Sequence, residues 1–170
     1  MVVDKMGDPA GSIAHKAYHY LLAMLGQSST YQSQVFNELE KIVFQRNAST
    51  KHQAYCVNVM NQLVFNKDER KLALRCVSAY LALLKKLIVE GNPDSTIIGA
   101  VTNGLRRSIP YAGADLSSLE EHLDAIFTLA RQGAFLQRVS ACALVQQLVL
   151  KGGWATLSDR YYRVLYELLL

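Results

Sequence analysis

These 170 residues hold few of the features that mark a catalytic, secreted or membrane-spanning chain. The three cysteines, Cys56, Cys76 and Cys142, are odd in number, far apart and lack any C-x-x-C spacing. That pattern argues against a disulfide framework or a zinc site. Each falls in an apolar helical stretch, so all three read as buried free thiols of a reducing compartment. No apolar run reaches the roughly 18 residues that a membrane span needs, because Lys85 and Lys86 split the longest candidate. The opening M-V-V-D-K-M-G-D-P has no signal-peptide core, which makes the Asn47-Ala48-Ser49 sequon incidental. The ten glycines form neither G-x-G-x-x-G nor a P-loop, so no loop is built to cradle phosphate.

Histidine is equally sparse. His15 and His19 stand four apart on one helix, a spacing that two zinc ligands can share. There is no glutamate between them as in H-E-x-x-H, and no third ligand follows at a suitable distance. His122 and Asp124, with Ser117 and Ser118 nearby, superficially suggest a triad. Residues two apart on a helix point to different faces, so the two cannot pair as base and orienter. The expectation is no catalytic residue, no cofactor and no metal, hence no enzyme.

What is present is helical. Apolar residues make up 51% and charged residues 19% of the chain. The net charge of +4 and pI near 9.0 tilt the partner class mildly toward RNA or acidic protein. Strict alternation is absent, so no sheet is expected. One apolar stripe holds Ile13, Ala17, Leu21, Met24 and Leu25, closed by Gly26. A second holds Val35, Phe36, Leu39, Ile42 and Val43. The third, capped by Ser49 or Thr50, runs through Tyr55, Val59, Met60 and Leu63 to Asn66. The fourth is long, from Leu72 through Tyr80 to Ile88, stopped by Gly91-Asn92-Pro93. A fifth, capped at Asp94 or Ser95, carries Ile97, Ile98, Val101 and Leu105, and Pro110 is expected to end it or force the chain extended. Ser117 and Glu120 form a capping box ahead of the sixth. Val139, Cys142, Val145, Leu148 and Val149 mark the seventh, ended at Gly152-Gly153. Ser158 is placed as the cap of the eighth, which carries Tyr161, Tyr162, Leu165, Tyr166 and Leu169.

Eight helices with short linkers group into four antiparallel pairs, beginning near residues 12, 49, 94 and 134. The spacing of about 40 residues is that of HEAT or armadillo-type repeats. The expected fold is all-α, a HEAT/armadillo-like solenoid, with a closed helical bundle as the alternative. Residues 1–170 read as a single helical-repeat domain. The apolar end L-Y-E-L-L-L has no polar cap, which suggests a piece of a longer protein that self-associates through its uncapped last helix. Gly7-Asp8-Pro9 reads as a loop or cut, and Gly99, inside a helical stripe, as a point of close helix–helix contact.

Basic residues gather at Lys67, Arg70, Lys71 and Arg75, at Lys85 and Lys86, at Arg131 and Arg138, and at Arg160 and Arg163. An ordinary solvated face accounts for most of them. Arg106 and Arg107 differ, because Ile109-Pro110-Tyr111 follows at once. A guanidinium can clamp phosphate or carboxylate and a tyrosine offers a stacking plane. Arg106 is expected to be the more exposed, and Arg107 to be tied into the fold.

Several segments resemble one family. A-H-K-A-Y-H-Y-L-L-A-M-L at Ala14–Leu25, A-Y-C-V-N-V-M-N-Q-L-V at Ala54–Val64 and L-A-L-R-C-V-S-A-Y-L-A-L-L-K-K-L at Leu72–Leu87 are similar to successive helices of the CCAAT-binding-factor domain of the nucleolar complex (Noc-type) ribosome-assembly proteins. The most specific match is A-V-T-N-G-L-R-R-S-I-P-Y-A at Ala100–Ala112, followed by D-R-Y-Y-R-V-L-Y at Asp159–Tyr166. Gly104, Arg107, Pro110, Tyr111, Asp159, Arg160, Tyr161, Tyr162 and Tyr166 occupy motif positions. Arg106 stands where the family usually has asparagine, and the usual H-P-N-M after the first helix is missing.

The resemblance implies a nuclear, mainly nucleolar scaffold of large-subunit assembly and pre-rRNA processing. It would bind a Noc-type partner and the pre-ribosomal particle, with pre-rRNA as a further candidate and no membrane. A CCAAT-box transcription subunit is the second implication, although no helix-turn-helix, zinc finger or basic zipper supports base readout. As a check on the histidines, replacing His15 and His19 by Ala should leave the melting temperature unchanged. Stoichiometric zinc surviving dialysis of the unmodified protein would contradict this.

Overall fold

The computed structural model describes residues 2–27, 31–66, 69–90, 95–112, 120–152 and 155–170. Among them the secondary structure is helical throughout, with no strand, consistent with an α-solenoid. A short 3-10 turn at Asp4–Gly7 precedes α1 (Gly11–Gln27), α2 (Gln32–Val43), α3 (Thr50–Met60), α4 (Arg70–Val89), α5 (Ser95–Ala112), α6 (Glu120–Gln132), α7 (Phe135–Gly152) and α8 (Ala155–Leu169). Gly91, Asn92, Pro93, Asp94, Ser117, Gly153 and Trp154 lie outside the described residues, and with them the expected stop after α4 and the capping box.

The chain divides into two compact units, Met1–Asn66 and Lys67–Leu170. In the first, Ala14, Ala17, Leu21 and Leu25 of α1 are buried, while Ile13 faces out. α2 buries Val35, Phe36, Leu39, Ile42 and Val43. The Ser49 hydroxyl accepts from the His52 backbone N–H at 3.2 Å, the expected cap of α3. Gln53 Nε2 donates to the Val43 carbonyl at 3.1 Å, satisfying the C-terminus of α2 from the neighbouring helix. The Gly7 region is folded. Met6 is buried, and a Cβ on Gly7 would fall 2.5 Å from His52 Nδ1, so a larger residue there would require the His52 ring to shift.

The second unit is built on α4, which buries ten residues, among them Tyr80, Leu81, Leu83 and Leu84. Each large side chain so buried contributes about 1.5–3 kcal/mol of transfer free energy. The most extensive packing joins α4 to α5, followed by α6 to α7. This frame differs from the expected pairs α5–α6 and α7–α8. Linker lengths say where helices end, whereas the widest shared apolar face decides which neighbours pack. α4 and α5 run antiparallel, since Arg70 Nε at the start of one donates to the Ala112 carbonyl at the end of the other, at 3.2 Å. α6 and α8 run parallel, tied by Arg160–Asp124 at 2.6 Å and Arg131–Glu167 at 2.9 Å. α5 and α7 are parallel too, with Gly99 near Ser140 and the Arg106 carbonyl bound by Gln147. Contacts to the next helix and to the next but one are the neighbour relation of stacked helical hairpins.

Pro110 does not end α5, which continues to Ala112. Proline removes the N–H that would bind the carbonyl four residues back, here that of Arg106. Gln147 Nε2 of α7 donates to that carbonyl at 3.2 Å. The helix survives its proline because a neighbour supplies the missing donor. Ser158 likewise lies inside α8, which starts at Ala155, so it is not the cap. Gly99 is also not at a tight crossing, since a Cβ there would meet nothing within 4 Å. Gly133 is the constrained one. Its Cβ would fall 2.6 Å from the Leu129 carbonyl oxygen, in the turn where Gln137 Oε1 accepts from the Ala134 N–H at 2.9 Å.

The proline account makes a coupled prediction. Gln147→Ala should cost about 0.5–1.5 kcal/mol in the natural sequence. In a Pro110→Ala background it should cost almost nothing, because an alanine there donates its own N–H. Urea melts of the four proteins decide it; equal losses in both backgrounds would show that Gln147 acts elsewhere.

Candidate functional site

The sequence singles out two stretches, and the structure sorts their residues by side. On α5 the exposed positions Asn103, Arg106, Arg107, Pro110 and Tyr111 recur at helical spacing and form one outward face. The inward positions Val101, Leu105, Ile109 and Ala112 are buried. Thr102 and Ser108 are buried as well. Their hydroxyls bond back to carbonyls of the preceding turn, Thr102 to Ile98 at 2.9 Å and Ser108 to Gly104 at 2.8 Å. No buried hydroxyl of this helix is therefore left seeking an external partner.

Arg106 Nη2 reaches Asn103 Oδ1 at 3.4 Å, a long contact along the same face. Arg107 is exposed too, but its charge lies close enough to Tyr80 to act on it. Burial pushes the Tyr80 hydroxyl well above the tyrosine range, the Cys76 thiol adds to this, and the Arg107 charge opposes both. Arg107 thus belongs partly to the α4–α5 packing, while Arg106 belongs to the outer face.

The motif on α8 divides differently. Arg160 is held in two ways: its Nη2 lies 2.6 Å from Asp124 Oδ1, and its guanidinium carbon lies 4.1 Å above the Phe127 ring centroid. It joins α8 to α6 at the surface. Tyr161 is buried, and burial raises its hydroxyl above the ordinary range, with Cys142 and Tyr162 adding to the shift. Asp159, Tyr162 and Tyr166 face outward. α5 and α8 share α7 as a packing neighbour. The bonds of α5 run to α4 and α7, and those of α8 to α6.

Elsewhere, the rings of His15 and His19 meet, with their Nε2 atoms 2.9 Å apart, one donating to the other. Among the described residues no three His, Cys, Asp or Glu side chains gather as a metal site, and the His122 side chain lies outside them. No described helix is long and apolar enough to cross a membrane. Cys56 and Cys76 are buried free thiols, whereas Cys142 is only half-buried. It lines a groove between α7 and α8 that periodicity did not reveal, because the lining residues come from two different helices.

No family model matches the chain. Relatives do: it is 31% identical over 169 residues to CCAAT/enhancer-binding protein zeta of Mus musculus, covering 99% of this chain and 16% of that protein. It is 27% identical over 205 residues to ribosome biogenesis protein NOC1 of Chaetomium thermophilum, covering 100% of the chain and 20% of the relative. It is 27% identical over 175 residues to nucleolar complex protein 1 of Drosophila melanogaster, covering 100% and 15%. The chain therefore spans a fifth or less of the length of these relatives.

The thiols give a direct check on the packing. Burial pushes Cys56 from 9.0 up to about 12. Above pH 9 the unfolded chain would release that proton while the folded chain keeps it, so stability should fall as pH rises from 9.0 toward about 12. Below pH 9 this thiol should contribute no slope. A thiol-reactive dye at pH 8 should label Cys142 first and leave Cys56 protected until unfolding. Early labelling of Cys56 would contradict the packing of α3.

Proposed function

The chain is a homologue of the Noc-type CCAAT-binding-factor proteins, matched over nearly all of its own length to one part of theirs, and from that premise we propose that it is a non-enzymatic scaffold of large-ribosomal-subunit assembly in the nucleolus. Its work is to hold a Noc-type partner and the pre-ribosomal particle, with pre-rRNA as the ligand of the α5 face. The relatives' names speak of ribosome biogenesis and of a nucleolar complex. The observation that carries the reading is the outward face of α5. Arginines at 106 and 107 stand beside an exposed tyrosine, on a helix whose polar interior is already satisfied.

The chemistry follows from that placement. A guanidinium presents a rigid fork of donors to phosphate oxygens, and Tyr111 offers a ring on which an unpaired base can stack. Pro110 fixes the backbone between them, with Gln147 holding the turn. Such contacts position RNA and do not read base edges, so binding should tolerate sequence. On α8, Arg160 and Tyr161 support structure, leaving Asp159, Tyr162 and Tyr166 as the candidates for protein contact.

A second reading has one specific observation behind it, the name CCAAT/enhancer-binding protein zeta carried by a relative. A transcription-factor subunit that reads the CCAAT box should keep a large specificity ratio as salt rises, whereas a phosphate-holding surface should not.

Binding isotherms over a salt series separate the two. Arg106→Ala should leave the melting temperature nearly unchanged, weaken binding of unrelated single-stranded RNAs to a similar extent, and lower the salt slope by about one unit. Arg107→Ala should also cost stability, about 1–3 kcal/mol if it strands its buried neighbour. RNA affinity unchanged in both variants would remove the α5 face from the function, and strong preference for CCAAT duplex would favour the second reading.

A further inference from the structure

Helix α7 carries apolar residues on two opposite sides, with Arg138, Ser140, Gln146 and Gln147 between them. One side, with Ala141, Leu144, Val145 and Leu148, is buried within the second unit. The opposite side carries Leu136, Val139, Ala143 and Leu150, spaced three, four and seven apart, and it is bare; Leu136 is 75% and Leu150 78% exposed. Exposed apolar side chains grouped on one side of a helix mark a surface that a partner can cover.

Beside this bare stripe lies a groove of about 440 Å³ between α7 and α8. Phe135, Val139, Cys142, Tyr161 and Leu165 line it, and Arg138 lies in its wall. The groove has room for several leucine-sized side chains. It is not uniformly apolar, because the Arg138 Nε is buried and has no hydrogen-bond partner. Neighbouring cations of the unit are differently placed. Arg131 and Arg160 each hold a carboxylate, Glu167 and Asp124 respectively. A guanidinium N–H shut away from water without an acceptor is costly, and a carboxylate is the acceptor whose geometry and charge suit it best.

We propose that the α7–α8 groove is the docking site of an amphipathic helix from a partner protein, whose apolar side carries one carboxylate that pairs with Arg138. Apolar anchors at i, i+3 or i+4, and i+7 of that helix fill the groove. The acidic residue among them sets its register by pairing with the Arg138 guanidinium in the groove wall. This surface is distinct from the outward face of α5, and it goes beyond the RNA contact proposed there. The two share only the premise of a protein scaffold.

The partner being unidentified, the probe is a phage-displayed library of single helices with one face randomised, selected against the 170-residue chain. Selected helices should carry Leu, Phe or Met at the anchor spacing with Asp or Glu at one fixed position between them. Exchanging that acid for its amide should weaken binding roughly tenfold or more. Arg138→Gln should abolish the difference between acid and amide, and Val139→Lys, at an exposed position, should remove binding of both. Circular-dichroism melts confirm that the Val139 variant folds. RNA affinity should be unaffected by Val139→Lys, so loss of this inference and loss of the α5 reading give different results. The proposal is overturned if no helix is selected, if selected helices ignore Val139→Lys, or if they show no acidic preference. It is also overturned if sedimentation shows a dimer of the chain that Val139→Lys dissociates, since the groove would then serve a second copy.

Discussion

Helices with an apolar face cannot keep it wet, and a backbone carbonyl that loses its helical donor cannot stay unpaired when a neighbour covers it. Both constraints meet at the contacts of α5. Its buried face closes the long apolar surface of α4, including Tyr80. Its C-terminal carbonyl is met by Arg70, and the carbonyl orphaned by Pro110 is met by Gln147. Two neighbouring helices thus secure α5 from outside its own ladder. The first unit uses the same device where Gln53 satisfies Val43. Side chains that finish a neighbour's helix fix register as well as stability, because each bond forms at one sliding position only.

With its interior secured in this way, α5 can spend its outer face on contacts. The result is a surface on which Arg106 and Tyr111 are exposed while Arg107 is coupled to the core through Tyr80. On α8 the balance is reversed. Arg160 also pairs with Asp124 and lies over Phe127, and Tyr161 is buried in the packing. A homologous motif therefore holds two kinds of residue: those that build the scaffold and those that the scaffold displays.

Helix type and number were legible from apolar spacing, and the Ser49 cap from its residue type. What escaped was set by tertiary partners. Proline rules end a helix at Pro110, but they do not know of a glutamine 37 positions along the chain that supplies the missing donor. Periodicity placed Val139 in a buried stripe. On a helix with apolar residues on two opposite sides it cannot tell the covered side from the bare one, and Val139 is 51% exposed. Gly99 was read as a packing glycine, yet the space beside it is open. The α5 surface was visible because arginine, proline and tyrosine fall together in the six consecutive residues Arg106 to Tyr111. The α7–α8 groove was not, since Phe135, Cys142 and Leu165 come from two helices and look like core in each.

The most direct test is photochemical crosslinking of the full-length protein within purified large-subunit precursors, with the crosslinked peptides sequenced. The expected result is RNA attached to the exposed residues of α5 between Asn103 and Tyr111, with peptides containing Arg160 and Tyr161 free of RNA. Crosslinks found only on other surfaces of this chain, or a protein absent from the precursors, would contradict the assignment of α5 as the RNA-holding face of a ribosome-assembly scaffold.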